Sequence, residues 1–136
     1  MEIVVLFKAD QPVTRDAWQE VMDGQGLPAS LPPDFDVTGE EGGFAPVGFR
    51  GEQAGFEFYR GPADRSILKQ ARSRRRGFDQ AASFIWGGDL NEMGAAVCAS
   101  AALAVLTGGV LYFPQDGDVF AGAEAVAWAM EAVNAV

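Results

Sequence analysis

The alternation of hydrophobic and polar positions near the N-terminus predicts a buried strand followed by a short helix. Glu2 to Phe7 contains a continuous apolar run rich in β-branched side chains, which is typical of a central strand. Thr14 has the chemistry of a helix N-cap, and Trp18 and Met22 fall on one face of the helix that follows it. Glycine favours helix ends, so we expect this helix to stop at Gly24.

The middle of the chain alternates between a long connection and predicted strands. Gln25 to Gly43 is rich in glycine, proline and acids, and we expect a short strand at Phe35 to Thr38 within it. Phe44 to Phe49 and Ala54 to Tyr59 have the composition and spacing of a hairpin. A helix is then predicted from an N-cap at Asp64 to about Arg75, with its cations pointing outward.

The strongest local signal follows the predicted strand Gln80 to Trp86. Asp89 has an acid three positions later, at Glu92, which is a variant of the capping box. An alanine-rich helix is predicted from there to about Leu106, ended by the glycines after Thr107. Its polar groups are so few that protein must cover nearly its whole circumference.

The C-terminal part predicts a strand, a turn, a return strand and a final helix. The strands are Val110 to Phe113 and Val119 to Ala121, joined by the turn Gln115 to Asp118. The final helix begins at about Ala123, and its predicted buried stripe contains Val126, Met130 and Val133. The element order predicts a single α+β domain over residues 1–136, with an antiparallel or mixed sheet packed on the central alanine-rich helix and the C-terminal helix.

The uncharged stretch from Met93 to Phe113 raises the question of a membrane span. It has the necessary length, but it consists largely of alanine and glycine and lacks basic residues on its C-terminal side. These features favour a buried helix over a span.

The N-terminus has an acid at Glu2 and only five apolar residues before Lys8, which is typical of a strand rather than a secretory signal. We therefore expect a cytoplasmic protein with no membrane partner.

The residue types present exclude most familiar catalytic chemistry. There is no histidine, which removes serine–histidine and cysteine–histidine catalysis and most catalytic zinc sites. No nucleotide-binding or hydrolase motif occurs, and the single cysteine, Cys98, lies in an apolar stretch without a neighbouring base. The sequence predicts a protein that is not an enzyme and that has no metal or cofactor.

Carboxylates are the abundant reactive groups, and they concentrate in two loops. The first loop contains Asp34, Asp36, Glu40 and Glu41, and the second contains Asp116 and Asp118. Such pairs could serve a small hydrolase or hold a hard cation, but the second loop lacks the third acid of a calcium loop. Closely spaced acids in turns are usually solvated surface, which is the interpretation that composition favours.

The arginine-rich run Arg72 to Arg76 stands out against an overall net charge of −9 and a pI near 4.3. An acidic protein opposes a polyanion at long range, so we expect no nucleic-acid partner. The run could seat a phosphate group, or it could be solvated or paired with the protein's own carboxylates.

Two segments resemble small bacterial proteins, some of which are similar to immunity proteins encoded beside secreted toxins. They are Phe84 to Met93 with the alanine-rich helix after it, and Tyr112 to Gly117. The resemblance covers Phe84 to Gly117 and carries no catalytic residues. It implies a cytosolic protein that binds one cognate toxin and occludes the toxin's active site.

The leading hypothesis is therefore a non-catalytic protein that inhibits a toxin with a cationic cleft. The alternatives are a small hydrolase with paired carboxylates, or a structural or adaptor protein that forms a homodimer or larger oligomer through the alanine-rich helix. The candidate partner-binding residues combine the loop acids with one aromatic anchor, and they are Asp34, Asp36, Glu40, Glu41, Trp86, Asp116 and Asp118.

Overall fold

The computed structural model describes residues 1–135, which form seven strands and four α-helices. The strands are β1 (Glu2–Phe7), β2 (Ala29–Ser30), β3 (Phe44–Phe49), β4 (Glu52–Pro62), β5 (Gln80–Ile85), β6 (Val110–Phe113) and β7 (Asp118–Ala121). The helices are α1 (Arg15–Gln25), α2 (Arg65–Gln70), α3 (Leu90–Thr107) and α4 (Ala123–Asn134).

The strands form one sheet in the order β2-β3-β4-β5-β1-β6-β7, and every neighbouring pair is antiparallel. The predicted α+β class is confirmed, and the sheet is antiparallel rather than mixed. The apolar run at the N-terminus becomes β1, which pairs with β5 and β6 in the interior of the sheet. Ile3 and Val5 face the helical layer, whereas Val4 and Leu6 belong to a second cluster on the other face, so both faces of β1 are buried.

Helix α3 is the centre of the main core, between α1 and α4 on one face of the sheet. The side chain of Asp89 accepts hydrogen bonds from the backbone N–H groups of Asn91 (2.8 Å) and Glu92 (3.0 Å), and Gly108 ends the helix in the left-handed conformation. By length and mean hydropathy (1.5) α3 could cross a membrane, yet residues 94–104 are all buried inside the domain. The same burial leaves this stretch no surface for packing against a second copy.

The opposite face of the sheet is covered by α2 and the residues after it. The predicted helix to about Arg75 is wrong, because α2 ends at Gln70. Its end is a Schellman motif, in which Ser73 N–H donates to the carbonyl of Leu68 (2.8 Å) and Arg72 N–H donates to that of Lys69 (3.0 Å). Arg72 occupies the position that usually holds glycine, with φ 54°. The left-handed conformation costs a non-glycine residue about 1–2 kcal/mol.

Two predictions for the first half of the chain, one strand and one helix end, are also wrong. No strand forms at Phe35 to Thr38, since the side chain of Phe35 turns into the core, 5.4 Å between ring centroids from both Trp18 and Phe58. Helix α1 continues past Gly24 to Gln25, and the left-handed residue that ends it is Gly26, with φ 71°.

The buried stripe of α4 differs from the one predicted. Ala125 and Ala129 are fully buried together with Val133, whereas Val126 and Met130 are half-buried. Helix α4 packs against the alanine-rich α3, and small buried side chains such as Ala125 and Ala129 let two helices approach closely.

Candidate functional site

Two adjoining cavities open at the β3 edge of the sheet, and together we call them the acidic groove. The first has a volume of about 380 Å³ and lies beside the acidic loop of residues 34–43. The second, of about 910 Å³, lies between residues 30–33 and the hairpin of β3 and β4. Both cavities are lined by Pro32, Phe44 and Pro46, so they adjoin each other along these three residues.

The groove exists because the edge strand next to β3 is very short. β2 pairs with β3 only at Phe49 and Gly48, and the chain then leaves the sheet through Pro32 and Pro33. Beyond that point no strand within residues 1–135 pairs with the outer edge of β3. Pro46 lies in this open stretch, where its missing N–H removes one donor that another strand would use.

The acidic loop is held in place by two partly buried arginines and one buried phenylalanine. Arg15 Nε donates to the carbonyl of Leu31 (3.1 Å), and Arg60 Nη1 donates to the carbonyl of Val37 (3.0 Å). Between these two points, Phe35 packs into the aromatic core. The loop therefore presents its carboxylates from a fixed backbone, which lowers the entropy that a partner must overcome on binding.

Asp36 is the most strongly held carboxylate of the loop. Its Oδ1 accepts hydrogen bonds from the backbone N–H of Thr38 (3.0 Å) and from the hydroxyl of the same residue. These bonds lower the pKa of Asp36 below its usual value. A general acid requires a raised pKa instead, so Asp36 is suited to binding a cation rather than to donating a proton.

The charge of the acidic groove has a single sign. Phe44, with 58% of its surface exposed, forms an aromatic wall shared by both cavities. Within residues 1–135, no lysine or arginine lines either cavity. The ionisable side chains that line them are all carboxylates, namely Asp34, Asp36, Glu41, Glu52 and Glu92. Carboxylates beside an exposed aromatic ring are suited to an arginine or lysine side chain, through ion pairing and cation–π contact.

The structure brings together only part of the predicted site. Asp34, Asp36 and Glu41 line the first cavity, whereas Glu40 is exposed beside it without lining it. Trp86 is only 6% exposed and belongs to the main core, so it is not an accessible anchor in this structure.

The second acidic loop lies at the opposite edge of the sheet, beside β6 and β7. Asp116 lies in the turn that joins β6 and β7, and Asp118 begins β7; between them, the carbonyl of Gly117 accepts a hydrogen bond from Arg72 Nη2 (3.4 Å). With neighbouring strands about 4.8 Å apart, this turn lies roughly 20 Å from β3. The two acidic loops therefore do not line one cleft.

Three residues that line the groove were not among the binding residues predicted from the sequence. Phe44 alternates with the buried Val47 and Phe49, so its exposure could have been inferred from the period of a strand. Glu52 and Glu92 reach the groove only through long-range folding, from the start of β4 and the first turn of α3. No local pattern indicates that these two acids share a surface.

Cys98 and the remaining acids offer no second reactive centre. Cys98 is fully buried in α3, and burial raises the pKa of its thiol to about 12. In the part of the chain that the structure describes, no three histidine, cysteine, aspartate or glutamate side chains are grouped so that they could hold a metal ion.

Comparison with known proteins adds no relative to this description. The chain matches no protein-family model, no curated protein and no solved structure. The function proposed below therefore rests on the geometry and charge of the groove.

Proposed function

We propose that this protein is a non-catalytic binding protein whose acidic groove receives a cationic segment of a protein partner. The observation that carries the proposal is the single sign of charge in the groove. Among the residues that the structure describes, five carboxylates and no cation line two adjoining cavities around the exposed ring of Phe44. A preformed concave surface with an aromatic wall is suited to an extended or looped basic segment.

A bacterial toxin with a cationic active-site cleft is the class of partner that we propose. Enzymes that act on nucleic acids or nucleotides carry such clefts, because their substrates are anionic. An inhibitor with an acidic surface associates quickly with such a cleft and covers it. On this proposal the chain is a cytoplasmic immunity protein, and loop acids such as Asp34 and Glu41 occupy the position of the substrate's anionic groups.

The experiment that tests this function is survival on co-expression. The protein encoded next to this chain's gene is expressed from an inducible promoter, with and without the wild-type chain. We expect the neighbouring protein to arrest growth by itself, and the wild-type chain to restore growth.

Two charge variants connect survival to the groove. The groove variant Asp34→Asn, Asp36→Asn and Glu41→Gln removes three charges from the first cavity. The control variant Asp118→Asn, Glu124→Gln and Glu131→Gln removes three exposed charges elsewhere. The groove variant should lose protection and the control should retain it. A neighbouring protein without toxicity, or equal protection by both variants, contradicts the proposal.

A further inference from the structure

Seven of the ten cations lie on one surface that the acidic groove does not use. This basic patch extends over α2, the segment after it and the end of β1, and consists of Lys8, Arg65, Lys69, Arg72, Arg74, Arg75 and Arg76. All seven side chains are exposed. The side chain of Lys8 lies against Gly77, so the end of β1 and the arginine-rich segment are neighbours.

The protein's own carboxylates do not neutralise the patch. Across the described residues, the only ion pair joins Arg15 and Asp16, at 3.2 Å. The arginine-rich segment was expected to be a solvated surface, to pair internally or to seat a phosphate group, and internal pairing is not seen in residues 1–135. The rest of the chain has three cations against 19 acids, but charges more than about 8 Å away are largely screened at physiological salt.

The backbone beneath the patch is fixed. Ala71, Ser73 and Phe78 are buried and fasten the segment to the sheet. The guanidinium of Arg76 lies over the ring of Phe78, 5.3 Å from its centroid, which restricts that side chain as well. The arginines are thus displayed from a rigid support rather than from a flexible tail.

Arg72 adds an independent observation. It occupies the left-handed position of the Schellman motif, where glycine would be free of strain. Strained backbone of this kind clusters at functional sites. The exposed guanidinium of Arg72 donates to the carbonyl of Gly117 (3.4 Å), and its remaining N–H groups are available to a ligand.

We propose that the basic patch binds a compact ligand that carries clustered phosphate groups. Each guanidinium presents a planar fork of donors that matches phosphate oxygens, and four arginines within five residues can surround several phosphates at once. The rim of the patch favours a compact ligand over a long polyanion. Carboxylates border it at Asp64, Asp79, Asp116 and Asp118, and a strand of nucleic acid leaving the patch would meet them.

The test is a calorimetric titration of the full chain with inositol hexakisphosphate, supported by amide chemical shifts. We expect binding in the micromolar range at physiological salt, where the acids elsewhere on the chain are largely screened, with shifts confined to residues 64–79 and their neighbours. Arg74→Gln with Arg75→Gln should weaken binding at least tenfold, while Arg74→Lys with Arg75→Lys should recover part of it, because lysine keeps the charge but not the fork. Unchanged affinity in the glutamine variant would overturn the proposal.

Arg72→Gly separates a binding role from a structural one. Relief of the left-handed strain should raise the melting temperature by roughly 3–6 °C, while affinity for inositol hexakisphosphate falls about threefold or more. A variant that gains stability and binds as tightly as the wild type would show that Arg72 serves no ligand.

Further binding measurements identify the source of the phosphate groups and test whether other polyanions bind more tightly. Phosphatidylcholine vesicles carrying a phosphatidylinositol bisphosphate are compared with inositol hexakisphosphate in solution. Preference for the vesicles assigns a lipid headgroup, preference for the soluble compound assigns a free ligand, and either supports the proposal. Tighter binding to a single-stranded oligonucleotide or to polyglutamate than to both phosphate probes would overturn it.

Discussion

Gly94 of α3 packs against the ring of Phe49 in β3, and its replacement by alanine tests the packing of the central helix. A Cβ atom added at Gly94 would lie 2.5 and 2.6 Å from the Cε1 and Cε2 atoms of Phe49 and closer still to its Cζ. Carbon atoms in ordinary contact are about 3.5–4.0 Å apart. The ring would have to move by about 1 Å, yet Phe49 is only 1% exposed and enclosed by the core.

The magnitude follows from two opposing terms. Forcing a methyl group into a well-packed core costs about 1–3 kcal/mol. Alanine in place of glycine in a helix interior returns up to about 1 kcal/mol. We expect Gly94→Ala to lower the free energy of unfolding by about 1–2 kcal/mol and the melting temperature by roughly 3–8 °C.

Gly24→Ala is the matched control. Gly24 also lies in a helix, α1, but no atom lies within 4 Å of a Cβ added there. This variant should therefore be as stable as the wild type or more stable, by up to about 1 kcal/mol. The same chemical change is thus expected to have opposite effects at the two positions.

Denaturant titration followed by tryptophan fluorescence measures both variants. In a Phe49→Leu background, which shortens the obstructing side chain, Gly94→Ala should cost less than in the wild type, a coupling that a double-mutant cycle measures. If Gly94→Ala is as stable as Gly24→Ala, or the coupling is absent, the close approach of α3 to β3 is refuted.

Two further predictions concern the ends and the interior of α3. Burial raises the pKa of the Cys98 thiol from 9.0 to about 12, so the unfolded state loses the thiol proton first as pH rises. The free energy of unfolding therefore falls between these two pH values. Relative to Cys98→Ala, the wild type should lose about 1.4 kcal/mol between pH 7 and pH 10, as measured by urea titration. A difference independent of pH would mean that the thiol is accessible. Asp89→Ala removes the N-cap of α3 and should cost about 1 kcal/mol in the same assay, while Asp89→Asn should cost much less. Equal losses in both variants would show that the cap bonds do not stabilise the helix.

Local signals in the sequence were sufficient for the elements that local chemistry defines. The boundaries of α3 follow from a capping aspartate and a terminal glycine, and β1 from a run that is apolar on both faces. The errors occurred where tertiary contacts decide. A short strand was expected at Phe35 to Thr38, but the ring of Phe35 packs into the aromatic core instead. Arg72 ends α2 in the left-handed conformation, which its residue type does not indicate.

The candidate site was predictable only in part for the same reason. The acids of the first loop were recognisable as a cluster, and Asp34, Asp36 and Glu41 do line one cavity. The groove itself depends on how early β2 ends and on where the first turn of α3 lies beside the β3–β4 hairpin. These are properties of the assembled sheet, and no short segment of sequence contains them.

The central claim is that the acidic groove, rather than the acidic surface in general, receives a cationic segment. Titration of the isotopically labelled chain with a tetra-arginine peptide, followed by amide chemical shifts, tests it most directly. We expect the largest shifts at residues 34–46 and around Glu52 and Glu92, and their loss in the groove variant but not in the control variant. Equal shifts at all exposed acids, or the largest shifts around Asp116 and Asp118, would contradict this claim.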